Sequence, residues 1–194
     1  MHKRTYHLLL IFLIAATACQ KKNPVVIINT DMGEIKLELY SDAAPVTVAN
    51  FLHYVDQNIF DKASFYRVVR HDNQNNATKI EVVQGGLELA MNVDSLPPIP
   101  HESTAQTGIL HKDGVISMAR YGPGTATSEF FICIGDQPSL DFAGKRNSDG
   151  YGFAAFGKVI DGMDVVRKIQ TGETKGDFQL LVKPVRIKQI YRCK

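Results

Sequence analysis

From Val25 the chain alternates: Ile35, Leu37 and Leu39 share one parity, Glu34, Lys36 and Glu38 the other, and Asp31, Met32 and Gly33 interrupt two β-rich runs. A period of two with a break in the middle predicts a hairpin over 25–40 with one face buried. The period then lengthens, with Val48, Phe51, Leu52 and Val55 at i, i+3, i+4 and i+7, the apolar stripe of a helix. Pro45 suits its first turn, and Ser41 or Asp42 its N-cap. Apolar runs at 64–70, 80–86, 114–120, 129–135, 153–160 and 182–192 predict further strands. The asparagine-rich stretch 71–79 reads as an exposed loop, and prolines and polar residues make 92–113 a loop as well. A second, short helix is predicted over 161–172, with Asp161 as N-cap and Gly172 at its end. Many short strands, two helices, no repeat and no linker predict a single mainly β domain: an antiparallel barrel or sandwich whose helices cover its openings.

The N-terminus does not belong to that domain. Lys3 and Arg4 precede an apolar run from Leu8 to Ala16, followed by small residues and Cys19. This is the three-part pattern of a secretory signal, and the run is short for a membrane span of about 20 residues. "ATAC" resembles a bacterial lipobox, with Ala16 where leucine is usual. The expectation is a lipoprotein signal over 1–18, lipidation at Cys19, a tether over 19–24 and the folded domain over 25–194; an ordinary cleaved signal is the alternative. Lys and Arg total 22 against 20 Asp and Glu, so the surface is nearly neutral and nucleic acid is excluded as a partner. Neither Cys133 nor Cys193 has a metal-binding spacing. The two stand open to pairing in an exported protein, but Cys133 lies in an apolar strand, where a buried thiol is the expected state.

Five blocks carry a resemblance. "FYRVV" (65–69), "VVQGG" (82–86), "GVISMAR" (114–120), "GPGTATSEFFI" (122–132) and "GFAAFGKVIDGMDVV" (152–166) occur in the order and register of the cyclophilins, the peptidyl-prolyl cis-trans isomerases. The resemblance covers the chain from the first hairpin to the last strand. It implies a closed eight-stranded antiparallel barrel capped by two α-helices, with the site on an outer face, no cofactor and no metal. It also implies proline-containing polypeptides as partners. With the N-terminal signal, these become exported proteins met at a bacterial cell envelope by a lipid-anchored, periplasm-facing monomer.

The chemistry of such a site follows from the amide. Rotation about an X-Pro bond meets a barrier near 20 kcal/mol because the C–N bond has partial double-bond character. No nucleophile is needed; the catalyst must favour the twisted form, whose pyramidal nitrogen accepts a hydrogen bond. By the resemblance, Arg67 is the catalytic donor and Gln84 binds the substrate carbonyl and orients the arginine. Phe131 floors the proline pocket, Val82 and Leu140 wall it, and the backbone of Ala119 and Arg120 pairs with bound peptide. The chain departs from the family at several of these positions. Glu81 and Val82 replace the usual Phe-Met pair, Glu129 the usual glutamine, Arg120 the usual asparagine, and Phe153 the usual pocket histidine. Glu129 either holds Arg67 in an ion pair or draws it from the prolyl nitrogen, and Phe153 restores an aromatic wall. Arg67 argues for an active isomerase, while Glu81 and Glu129 argue for a peptide-binding or chaperone module of the same fold with weak catalysis.

Overall fold

The computed structural model describes residues 22–88 and 90–193, so the signal and Cys19 lie outside the described residues. β1 (Val25–Thr30) and β2 (Gly33–Leu39) form the expected hairpin, Thr30 facing Gly33 across the turn. Val26, Ile28, Ile35, Leu37 and Leu39 are all fully buried, so the alternation read from the sequence is the inside and outside of a sheet. The other strands are β3 (Ser64–Val69), β4 (Val82–Gly86), β5 (Val115–Met118), β6 (Phe130–Cys133), β7 (Ala154–Asp161), β8 (Thr174–Lys175) and β9 (Leu180–Arg192). The sheet runs β1, β2, β7, β5, β6, β4, β3, β9, every pair antiparallel, and β1 pairs with β9 to close an eight-stranded barrel. The short β8 only folds back on the start of β9.

The barrel encloses an aromatic core. Phe51 sits within 5.1–5.6 Å, ring centre to ring centre, of Phe60, Phe130 and Phe156, and Phe65 meets Phe130 edge-on. Phe51 comes from α1 (Pro45–Asp56), whose apolar stripe is buried as predicted. Its cap is not: the N-cap is Ala44, and Ser41 and Asp42 lie too early. The Glu102 carboxylate takes that role from a distant loop, accepting hydrogen bonds from Val46 N–H (3.1 Å), Thr47 N–H (2.7 Å) and Thr47 O–H (2.6 Å). A carboxylate there satisfies orphan amides and meets the positive end of the helix.

That loop also carries the short helix α2 (Thr104–Thr107), which the loop reading misses; Gln106 accepts from the Ser103 N–H at 2.9 Å, one arm of a capping box. α3 (Met163–Gln170) buries Val166 and Ile169 and starts at Gly162 rather than Asp161. Gly162 has φ 88°, and a Cβ there would lie 2.3 Å from the Glu34 carbonyl oxygen. Close backbone approach, not a capping side chain, fixes this helix start. Cys133 is buried and Cys193 exposed, and both are free thiols.

Candidate active site

Strand parity divides β6 between two clusters. Phe130 points into the barrel, while Phe131 points outward and joins Val69, Ile80, Val82, Cys133 and Leu140, with Ala119 and Phe153 against them. Ile80, Val82, Phe131, Leu140, Ala119 and Phe153 of this cluster line a groove of about 870 Å³. Arg67, Val82, Gln84, Ala119, Arg120, Glu129, Phe131, Leu140 and Phe153 all line it, so the structure brings together every expected substrate-site residue; Cys19 lies outside the described residues. Among the described residues no cluster of His, Cys, Asp or Glu is placed to hold a metal ion, and no helix is long and apolar enough to cross a membrane.

The floor is built in layers. Phe153 meets Phe131 edge-on at 5.3 Å, and the His111 ring stacks on Phe131 at 6.0 Å. His111 is buried, with Nδ1 2.7 Å from Asp141 Oδ1 and Nε2 3.0 Å from Ser117 Oγ. Ser, His and Asp here have the spacing of a hydrolase triad. Ser117 is wholly buried in β5, however, so the three form a strut under the floor rather than a nucleophile.

Arg120 uses its side chain as well as its backbone. It forms a two-pronged ion pair with Asp149 (2.8 and 2.9 Å), donates from Nε to the Gly152 carbonyl (2.8 Å) and lies 5.1 Å over the Phe153 ring. The guanidinium holds the Asp149 carboxyl down at about 2. Arg120 and Phe153, two positions at which the sequence reading has the chain depart from the family, are thus in direct contact. The Ala119 N–H is committed to the Glu129 carbonyl at 2.8 Å, so a peptide strand must pair with other groups of this stretch.

Arg67 reaches the groove through an irregularity. In the β3–β4 ladder Phe65 faces Gly85 and Arg67 faces Gln84, leaving Tyr66 as an extra residue. Such a bulge places two successive side chains on one face. Phe65 and Val68 point into the core, while Tyr66 and Arg67 both line the groove. Arg67 donates from Nε to the Phe178 carbonyl (2.8 Å), from one terminal nitrogen to Gln84 Oε1 (2.8 Å) and from the other to Gln179 Oε1 (2.9 Å). Burial lowers its pKa from the ordinary value, but a guanidinium stays charged.

Glu129 makes no ion pair with Arg67. Its Oε2 accepts from the Tyr66 hydroxyl (2.6 Å), and Tyr66 in turn accepts from Gln84 Nε2 (2.7 Å). Tyr66, Gln179 and the Phe178 carbonyl were not legible as site groups. The bulge that turns Tyr66 outward and the left-handed backbone at Gln179 (φ 56°) leave no periodic signal. The 71–79 stretch is also less exposed than its composition suggests: Gln74 is buried, and Arg146 of the 141–153 loop donates to Gln74 Oε1 (2.9 Å) and the Thr78 carbonyl (2.7 Å). Arg146 lines the groove too, so the 71–79 loop braces a groove residue from behind.

Comparison with known proteins agrees with this geometry. The family described as cyclophilin type peptidyl-prolyl cis-trans isomerase/CLD matches residues 25–192. A peptidyl-prolyl cis-trans isomerase of Acinetobacter baylyi is 36% identical over 148 residues, 76% of this chain and 72% of that protein. Peptidyl-prolyl cis-trans isomerase B of Escherichia coli is 35% identical over 147 residues, 75% of this chain and 84% of its own length. Among solved structures, a Cryptosporidium parvum cyclophilin type peptidyl-prolyl cis-trans isomerase, in the presence of the dipeptide Ala-Pro, superposes with a TM-score of 0.69 at 22% identity, covering 88% of this chain and 99% of that one. With a closed barrel, an apolar notch beside a tethered guanidinium, and a family match reaching from the first strand to the last, the chain belongs to the cyclophilin-type peptidyl-prolyl cis-trans isomerases.

Proposed function

We propose that the isomerase acts on X-Pro bonds of exported polypeptides by donating a hydrogen bond from Arg67 to the prolyl nitrogen as the amide twists. The observation that carries this reading is the fixed guanidinium at the edge of the apolar notch. Three of its five N–H bonds are occupied by Phe178, Gln84 and Gln179, and the other two serve the substrate. The proline ring fits over Phe131, between Val82, Leu140 and Phe153, where burial of apolar surface holds it. The planar amide offers little basicity at nitrogen, while the twisted amide offers a lone pair. The donor therefore binds the transition state better than either ground state. The Ala-Pro dipeptide present with the Cryptosporidium relative suits a pocket of this kind.

A test of the fixed fork is Arg67→Lys. A lysine keeps the charge but presents one ammonium on a flexible stem, which cannot satisfy three acceptors and a substrate together. The expected result is a fall in kcat/KM of at least about tenfold, roughly 1.4 kcal/mol, in a cis-trans assay on a proline peptide. Wild-type activity in the lysine variant would show that charge suffices and that the held geometry is irrelevant.

The cellular setting belongs to the same proposal. A lipid on Cys19 anchors the domain, and residues 19–24 span about 20 Å when extended, placing the groove near the membrane surface where newly exported chains emerge. Cys19→Ser is expected to move the protein from the membrane fraction to the soluble one, since a multiply acylated cysteine holds far more firmly than a single chain. Unchanged membrane association of this variant would overturn the anchor.

A further inference from the structure

Behind Arg67 lies a chain of hydrogen bonds with a single direction. Glu129 Oε1 accepts from the backbone N–H of Leu87 (2.6 Å) and Glu88 (3.1 Å) and from the Ser128 hydroxyl (3.1 Å). Its Oε2 accepts from Tyr66 O–H, the Tyr66 oxygen accepts from Gln84 Nε2, and Gln84 Oε1 accepts from Arg67. The carboxylate is buried, and Gly86 leaves it room: a Cβ at that residue would lie 2.3 Å from Glu129 Oε1.

We propose that Glu129 and Tyr66 are positioning residues for Arg67, and that the ionised Glu129 carboxylate fixes the polarity of the Tyr66–Gln84 chain so that Gln84 presents its oxygen, not its amide nitrogen, to the guanidinium. This rests on the reading of Arg67 as the donor to substrate. The argument is one of donor and acceptor count. An ionised carboxylate only accepts, so it can take the backbone amides at one oxygen and the Tyr66 proton at the other. A glutamine, or a protonated glutamate, carries a donor on one side. Facing two backbone N–H groups with that donor sets donor against donor. The donor therefore turns to Tyr66, whose in-plane O–H then swings toward Gln84. Gln84 must flip, bringing its NH₂ against Arg67, and the guanidinium loses the contact that aims it.

Burial raises the Glu129 pKa above the ordinary carboxylate value, opposed by the hydrogen bonds from Tyr66, Leu87 and Ser128 and assisted by the neighbouring Glu88 carboxylate. Arg67 stands three hydrogen bonds away, through Gln84 and Tyr66. Acidification through the Glu129 pKa thus switches the chain in the same way as Glu129→Gln. The linkage to stability has the opposite sign. A carboxyl whose folded pKa lies above its unfolded one binds protons more tightly when folded, so its contribution to stability rises as pH falls. Activity and stability move in opposite directions, which a carboxylate acting only through the fold would not produce.

The experiment compares Arg67→Ala, Glu129→Gln, Tyr66→Phe and the double variant in kcat/KM against pH, with thermal unfolding alongside. Glu129→Gln and Tyr66→Phe are each expected to lose about tenfold at neutral pH, with the double variant no worse than either, because the two act as one unit. The wild-type rate should fall with acid towards that of Glu129→Gln, which should itself be flat over the range, while the stability of the wild type relative to Glu129→Gln rises. If Glu129→Gln and Tyr66→Phe keep the wild-type rate and the same acid limb while Arg67→Ala is inactive, the positioning chain is wrong and the Arg67 reading stands. If Arg67→Ala keeps the wild-type rate, both fall.

Discussion

Replacing Arg67 by alanine is expected to lower kcat/KM for a proline peptide by about 10²–10³ while leaving the barrel folded. The magnitude comes from the kind of interaction removed. A preorganised donor aimed at charge that develops only in the transition state costs about 10²–10³ in rate when deleted, or roughly 2.7–4 kcal/mol. In the mechanism proposed above Arg67 is such a donor: Phe178, Gln84 and Gln179 hold its guanidinium, so no reorganisation is called for as the amide twists. The loss should appear chiefly in kcat, because the planar ground state gains little from the same hydrogen bond. Folding suffers less: alanine strands three acceptors, but Phe178 is exposed and Gln179 is buried beside it in the same turn, so water entering the space left by the guanidinium reaches both, and about 1–2 kcal/mol is the expected cost. The measurement is a coupled or NMR exchange assay of cis-trans interconversion with a thermal melt on the same sample. An unchanged rate at an unchanged melting temperature would remove Arg67 from the mechanism.

The placement of Arg67 marks what sequence can and cannot carry here. Parity along β6 and β2 was readable because both strands are regular: Phe130 and Phe131 divide between core and groove, and Ile35, Leu37 and Leu39 point inward. On β3 the same rule fails, because the bulge gives Tyr66 and Arg67 one face. A period-two reading of "FYRVV" would bury Arg67 alongside Phe65; only the resemblance places it in the site. The helix starts fail for a related reason. The partner of the α1 N-terminus is Glu102, far along the chain, and that of Gly162 is the Glu34 backbone. Local signals pointed to Ser41, Asp42 and Asp161 because the true constraints are tertiary. Glu129 was legible as a carboxylate near Arg67, but its orientation was not. Whether it forms an ion pair or a relay depends on the donors behind it, the Leu87 and Glu88 amides, whose position no side-chain pattern reports.

Phe130 and Phe131 offer the sharpest separation of fold from function. Phe130→Ala removes a fully buried ring that meets Phe51, Phe60 and Phe65 edge-on, and a cavity of that size in a closed barrel costs about 3–5 kcal/mol. The groove lies on the other side of β6, so the fraction that folds should isomerise at close to the wild-type rate. Phe131→Ala removes the floor that the proposed mechanism assigns to the proline ring, together with its contacts to His111 and Phe153. The outer cluster is smaller and opens onto the groove, so the cavity relaxes and fills more readily and the stability cost should fall nearer 2–3 kcal/mol. Its catalytic cost is larger. Burial of a side chain of this size contributes about 1.5–3 kcal/mol, and losing most of that at the reacting ring lowers kcat/KM by tenfold to a hundredfold. Part of the loss lies in KM, since the floor holds the ground-state ring as well as the twisted one. Denaturant unfolding and active-fraction-corrected kinetics on the two variants decide the matter. The expected outcome is an inversion, with Phe130→Ala the less stable protein and Phe131→Ala the slower enzyme. If both variants lose activity only in proportion to the unfolded fraction, Phe131 is a packing residue and the proline socket lies elsewhere in the groove.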